Sequence, residues 1–247
     1  MLCIPDTLAK RSEPDVVAGT KRGRIRQILR SHAFRTAYQP IIRLADNRIE
    51  GLECLTRFEV EPYRSPDQWF RDAEEVGLGA DLEFDTMAAA LGGLRAIPTP
   101  DYLALNVSPH AATDPRLVQL LSGVDLHRIV LEITEHAPIC DYAPIIRALW
   151  PLRAKGARVA IDDVGAGYAN MRHILSLQPD LMKLDVSLTK DIDRCPTRAA
   201  LVTCLAQFGR VIGARTIAEG VETSSQLQTL RLLGVDAVQG YLFGHPA

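Results

Sequence analysis

Two apolar, strand-forming segments, RTAYQPII (35–42) and IEGLECLTR (49–57), are separated only by RLADNR. That spacer is too short for a crossover helix, so the two strands must form an antiparallel hairpin. Six more short segments rich in Val, Ile and Leu follow: YLALNVS (102–108), RIVLEIT (128–134), RVAID (158–162), LMKLD (181–185), RTIAE (215–219) and DAVQG (236–240). Helical patterns fill most of the gaps between them, and strand–helix alternation implies parallel strands. SPDQWFRDAEEVG (65–77) opens with a capping box, Ser65 and Gln68, and has Pro66 at the first helical position. Further helices are expected near 81–96, 114–122, 141–155, 195–213 and 223–233, with Gly156, Gly213 and Gly234 placed to stop three of them. Eight strands in this order predict an α/β fold, a TIM-like (β/α)8 barrel with one antiparallel strand. An open doubly wound sheet is the alternative that the pattern leaves open.

Composition narrows the function classes. The 247 residues are 47% hydrophobic and 23% charged with a formal net charge of -2, which suits a globular domain and lacks the basic excess of a DNA-binding protein. No apolar run approaches the ~18 residues of a membrane span. Residues 1–20 lack the features of a signal peptide and read as a flexible leader, and 21–247 as one domain. KRGRIRQILR (21–30) is basic with Ile25, Ile28 and Leu29 at helical spacing, which reads as a helix with a solvated face rather than a lipid- or partner-binding one. Cys3, Cys54, Cys140, Cys195 and Cys204 form no CxxC pair, so neither a disulfide framework nor a zinc site is expected, and the setting reads as cytoplasmic. The six histidines show no ligand spacing.

Chemistry in such barrels gathers where parallel strands end. Here nearly every strand ends in polar groups: Glu53 and Arg57, Asn106 and Ser108, Glu132 and Glu135, Asp162 and Asp163, Lys183 and Asp185, Glu219 and Glu222, and Gln239. Any one of these is ordinary as a surface acid, a turn residue or a snorkelling lysine. Their recurrence after apolar runs points to a shared pocket. Side chains alternate along a strand, so Glu53 and Arg57 share one face and Cys54 takes the other. With the polar faces inward, Glu53, Asn106, Glu132, Asp162, Asp163 and Glu219 converge, with Lys183 as a fixed cation beside them. Five carboxylates and an amide need cations, and hard oxygen donors suit Mg²⁺ or Mn²⁺, two ions better than one. A metal pair of this kind hydrolyses phosphoesters.

YQPI (38–41), GLECLTR (51–57), AEEVGL (73–78), LNVSP (105–109), LEITE (131–135), IDDVGAGYAN (161–170), PDLMKLD (179–185), AEGVET (218–223) and VQGYLFGHP (238–246), in that order, resemble the EAL domain of bacterial cyclic di-GMP phosphodiesterases, over about Arg24 to the end. Cys54, Val164 and His245 stand where that family usually has Ala, Phe and Arg. The resemblance implies hydrolysis of cyclic di-GMP to linear pGpG, with Lys183, Glu219 and Glu53 catalytic. It implies one metal on Glu53, Asn106, Glu132 and Asp162, and a second on Asp162, Asp163 and Glu219. Gln39, Arg57 and Gln239 would contact the dinucleotide, with Gln239 and Glu222 completing the pocket by hydrogen bonds. Glu135 would hold the DDVGAGY loop, and Asp185 belongs to the same supporting set. It also implies a homodimer and leaves room for a regulatory protein partner. A receptor that holds the nucleotide without turnover, acting through protein contacts, and a scaffold with a vestigial pocket are the rival readings.

Overall fold

The computed structural model of the chain describes residues 20–133, 139–165 and 169–247. The leader therefore lies outside the described residues up to position 19, and so does Glu135.

The elements run α1 (Lys21–Ser31), β1 (Phe34–Arg43), β2 (Ile49–Phe58), α2 (Pro66–Glu75), α3 (Gly79–Gly93), β3 (Tyr102–Val107), α4 (Pro109–Thr113), α5 (Pro115–Leu120) and β4 (Ile129–Ile133). They continue with α6 (Ala143–Arg153), β5 (Arg158–Val164), α7 (Ala169–Leu177), β6 (Leu181–Leu184), α8 (Val186–Thr189), α9 (Pro196–Ile212), β7 (Arg215–Ala218), α10 (Ser224–Leu232) and β8 (Ala237–Gln239). The strands close into a barrel in sequence order. β1 is antiparallel to both of its neighbours, β2 and β8, and the other pairs are parallel. The open sheet is excluded by the β1–β8 pairing.

Local chemistry explains most boundaries. The capping box on α2 forms as expected from Ser65 and Gln68, and Thr223 with Gln226 makes a second one on α10. Gly156, Gly213 and Gly234 all adopt positive φ just past helices. Three helices were not evident from the pattern: α4, α7 and α8. Two are only four or five residues long, too short for a periodic signal. Ser108, which reads as the last strand residue, instead caps α4 by accepting from the Ala111 amide at 3.1 Å. The basic segment becomes α1, whose Ile25 and Ile28 are buried against Phe58, Trp69, Ala73 and Leu82 while Lys21, Arg22, Arg26 and Arg30 face solvent. Among the described residues no helix is long and apolar enough to cross a membrane.

Two apolar layers hold the barrel. The larger packs the outward faces of the strands against the helices and contains Leu103, Leu105, Leu131, Val159, Ile161, Val164, Met182 and Leu184. The smaller fills the interior with Ile41, Tyr102, Ala104, Val130, Ala160, Leu181, Ile217 and Ala237. The Tyr102 ring lies beside Gly51 and carries the Arg158 guanidinium over its face at 4.4 Å. A Cβ at position 51 would sit 2.5 Å from that ring. The Gly51→Ala variant should therefore lose about 1–3 kcal/mol of stability by overpacking. Urea denaturation measures this, and an unchanged midpoint would contradict the packing described.

Candidate active site at the C-terminal ends of the strands

The inner apolar layer sets the position of the polar one. Two residues beyond Ala104, Val130, Ala160, Leu181, Ile217 and Ala237 stand Asn106, Glu132, Asp162, Lys183, Glu219 and Gln239. On the reversed strand β1 the same step runs backward, from Ile41 to Gln39. On β2, Glu53 stands two residues beyond Gly51 and pairs with Gln39 across the hairpin. A period of two keeps side chains on one face, so the apolar floor and the polar ring above it follow from the strand pattern.

Lys183 sits at the centre of the ring. Its Nζ lies 2.8 Å from Glu219 Oε1, 2.9 Å from Glu132 Oε2, 3.2 Å from Asp162 Oδ1 and 3.3 Å from Glu53 Oε2. The lysine and Glu132 are 1% exposed, which makes this a buried charge cluster rather than a surface one. Amides bind the acids from the sides. Asn106 Nδ2 donates to Glu53 Oε1 at 3.4 Å, and Gln239 Nε2 donates to Glu53 Oε2 at 2.5 Å and to Gln39 Oε1 at 2.9 Å.

Asp162 and Asp163 are adjacent, and on a regular strand they would point to opposite faces. The pairing of β5 with β6 shifts register between Ile161 and Val164, and Asp163 takes φ 53°. A bulge of this kind re-aims side chains, and Asp tolerates the left-handed region better than most residues. As a result, carboxylate oxygens of Asp162, Asp163 and Glu219 come within 4.8 Å of one another. Val164, next in the chain, is buried in the outer core, and its carbonyl accepts from the Asp185 amide at 3.1 Å.

The electrostatics follow from crowding acids in a dry space. Burial raises the Glu132 carboxyl well above the usual range, opposed by Lys183 and reinforced by Glu53 and Asp162. Burial also lifts Glu219 to about 8, again against the pull of Lys183. For Lys183, burial favours the neutral amine, but Asp162, Glu132, Glu219 and Glu53 together outweigh it and raise the pKa. The lysine therefore stays charged at neutral pH. Five carboxylates against one ammonium form an all-oxygen donor set in need of further positive charge, which fits Mg²⁺ or Mn²⁺. Gln239 Oε1 is buried without a hydrogen-bond partner, an acceptor that a cation or its water would satisfy.

The other expected site residues are placed outside this ring. Arg57, two repeats of the pleat beyond Glu53, lies at the rim, donates to the Thr56 carbonyl at 3.0 Å and lines a surface cavity with Arg35, Tyr63 and Arg64. Asp185 caps α8 by accepting from the Ser187 amide at 2.9 Å. Glu222 is exposed, and its backbone amide donates to Gln226 Oε1 at 2.9 Å. Two supporting residues escaped sequence reading. Glu83, on α3, accepts from both the amide and the hydroxyl of Ser108, fixing the chain just after Asn106. Buried Thr189 donates its hydroxyl to the Glu219 carbonyl. The signals were faint: one acid within a helical pattern, and one threonine after KLDVSL.

The EAL domain family profile matches residues 22–246. Among its relatives, the chain is 29% identical over 234 residues to the cyclic di-GMP phosphodiesterase NbdA of Pseudomonas aeruginosa, covering 90% of this chain and 30% of that protein. The chain spans less than a third of the length of the first relatives it matches. Among solved structures, the EAL enzyme Bd1971 with cAMP and cyclic di-GMP bound superposes with a TM-score of 0.83 at 26% identity, over 91% of this chain and 65% of that one. The manganese and cyclic di-GMP complex of BlrP1 from Klebsiella pneumoniae gives 0.75 at 30% identity, over 87% of this chain and 56% of that one.

The raised Glu219 pKa makes a pH prediction for the metal-free protein. Between the unfolded value of 4.5 and the folded value of about 8, the folded state holds a proton that the unfolded state has released. Stability should therefore fall as pH rises through that window, and Glu132 acts in the same direction. Denaturation in chelator at pH 5.5 and pH 8 measures it. A more stable protein at pH 8 would overturn the assignment.

Proposed function

The chain belongs to the EAL domain family, and on that premise we propose that it is a phosphodiesterase hydrolysing cyclic di-GMP to linear pGpG with two bound divalent ions, Mg²⁺ or Mn²⁺. The observation that carries the reading is the buried ring itself, four carboxylates within 3.3 Å of one lysine. The two halves of the ring suit two ions. Glu53, Asn106, Glu132 and Asp162 would hold the first, and Asp162, Asp163 and Glu219 the second. When bound, the ions would supply Lewis acidity at the phosphate and a more acidic water.

The protein's own residues do the rest. Lys183, kept protonated by its acids, donates to the attacking water and fixes its position. Glu53 and Glu219, both in contact with Lys183 Nζ, keep that ammonium aimed while binding metal. Water adds across one phosphodiester bond, so the ring opens into a chain with a phosphate and a hydroxyl end. Arg57, at the rim on the same strand face as Glu53, would pair with a substrate phosphate through its planar guanidinium. Gln39 and Gln239, locked to each other and to Glu53, would meet the dinucleotide without losing side-chain freedom on binding. The proposal extends to a homodimer in the cytoplasm. Support for the dimer comes from exposed apolar side chains one turn apart on two helices, Ile146 and Trp150 on α6 and Met171 and Leu175 on α7.

Incubating purified protein with cyclic di-GMP and Mn²⁺ or Mg²⁺ and following pGpG by chromatography tests the activity. Tight binding without product would point to a receptor and sink the enzyme reading. At residue level, Glu53→Ala should reduce turnover by more than roughly 100-fold, since lost metal-site partners alone cost 10–100-fold. Cys54→Ala should leave it near wild type. Cys54 packs with Leu52 toward the helices, and burial pushes its thiol up to about 12, so it remains a neutral filler. Comparable losses in both variants would contradict the face assignment.

A further inference from the structure

The opposite end of the barrel carries a second polar layer, in which arginines stand beside acids. Arg43 stands two residues past Ile41 on the reversed strand β1, and Arg215 two residues before Ile217 on β7. Together with Arg231 from the end of α10 they line a cavity of about 550 Å³ that Ala45 and Asp236 also border. Three guanidinium groups from three separate elements converge on one space of the size that small ligands occupy.

Their partners leave most of their donors unused. Each guanidinium offers five N–H donors. Arg215 Nη2 donates to Glu50 Oε2 at 2.8 Å, and Arg231 Nη2 donates to Asn47 Oδ1 at 2.7 Å. Arg43 Nε is buried with no hydrogen-bond partner, and Asp46 and Glu50 reach it only as ion-pair partners at 3.4 and 3.5 Å. Three acids stand nearby, two of them paired with these same arginines. Glu50 is buried and shared between Arg43 and Arg215. Asp236 Oδ2 accepts from the Thr216 amide at 2.8 Å and hydroxyl at 3.0 Å. Asp46 is on the exposed hairpin turn. Glu50 thus fixes two arginines side by side without exhausting them.

We propose that this cavity is a binding site for a small phosphate-bearing anion, separate from the acidic ring at the other end. Forked guanidinium donors match phosphate oxygens in pairs, and several on one space favour a multiply charged ligand over chloride or a lone carboxylate. The same strands carry both layers: β1 holds Arg43 and Gln39, β2 holds Glu50 and Glu53, and β7 starts at Arg215 and leads into Glu219.

Inorganic pyrophosphate is the probe, titrated calorimetrically into the full chain in chelator at low salt. Without divalent ions the acidic ring repels the probe, and the result does not depend on whether cyclic di-GMP is turned over. Saturable binding at one site per chain is expected. Arg231→Gln should weaken it at least about tenfold, because a charge-assisted bidentate contact is lost. Among the described residues its side chain bonds only to Asn47, so the melting temperature should hold. Ala45→Glu, which removes no contact and adds an acid at the lip, should weaken binding as well. Arg57→Gln, at the far rim, should leave binding unchanged. Absence of saturable binding would overturn the proposal. So would binding that survives both Arg231→Gln and Ala45→Glu, or binding that disappears in Arg57→Gln.

Discussion

The contact between Lys183 Nζ and four carboxylates is the interaction on which the upper half of the barrel depends. Charges this deeply buried are tolerated only when paired, and removing one member leaves the others uncompensated. The pairing also sets direction. Lys183 comes from β6, and its partners come from β2, β4, β5 and the end of β7, so one ammonium ties together strands from both sides of the barrel. Asn106 and Gln239 then donate to the Glu53 oxygens from β3 and β8, and Gln39 on β1 accepts from Gln239. An array so rich in anions is costly to assemble for stability alone. Its surplus negative charge is the physical argument for divalent cations.

Beneath the ring, small and branched residues fill the interior in alternation: Ala104, Val130, Ala160, Leu181, Ile217 and Ala237. This floor excludes water from below, which is why burial is the largest influence on Glu132 and Glu219. Tyr102 fits into it only because position 51 is glycine. The two ends of the barrel then differ in composition, acids around one lysine above the floor and arginines paired with acids below it.

Much of this was legible in the sequence because two simple periodicities govern it. The RLADNR spacer dictated a hairpin, and the strand–helix alternation dictated the parallel remainder. The step of two from an apolar residue to a polar one brought Glu53, Asn106, Glu132, Asp162 and Glu219 to one face in advance. What the pattern did not reveal depends on geometry that spacing cannot encode. Adjacent Asp162 and Asp163 reach one site only through the β5 irregularity and a left-handed Asp163. Lys183 reads as a neighbour of the acids, whereas it is their centre. Ser108 reads as a strand end but is a helix cap held by Glu83, from a helix 25 residues away. Cys54 could be assigned to the outer face from alternation alone, and its packing with the helix layer agrees.

The central claim is that the buried ring of acids is a site for two divalent cations. Calorimetric titration of Mn²⁺ into chelator-stripped protein at pH 7, in two buffers of different ionisation enthalpy, counts ions and released protons together. Two ions per chain with net proton release are predicted, because Glu219, lifted to about 8, must give up its proton to become a ligand. No saturable binding, or binding without proton release, would contradict it.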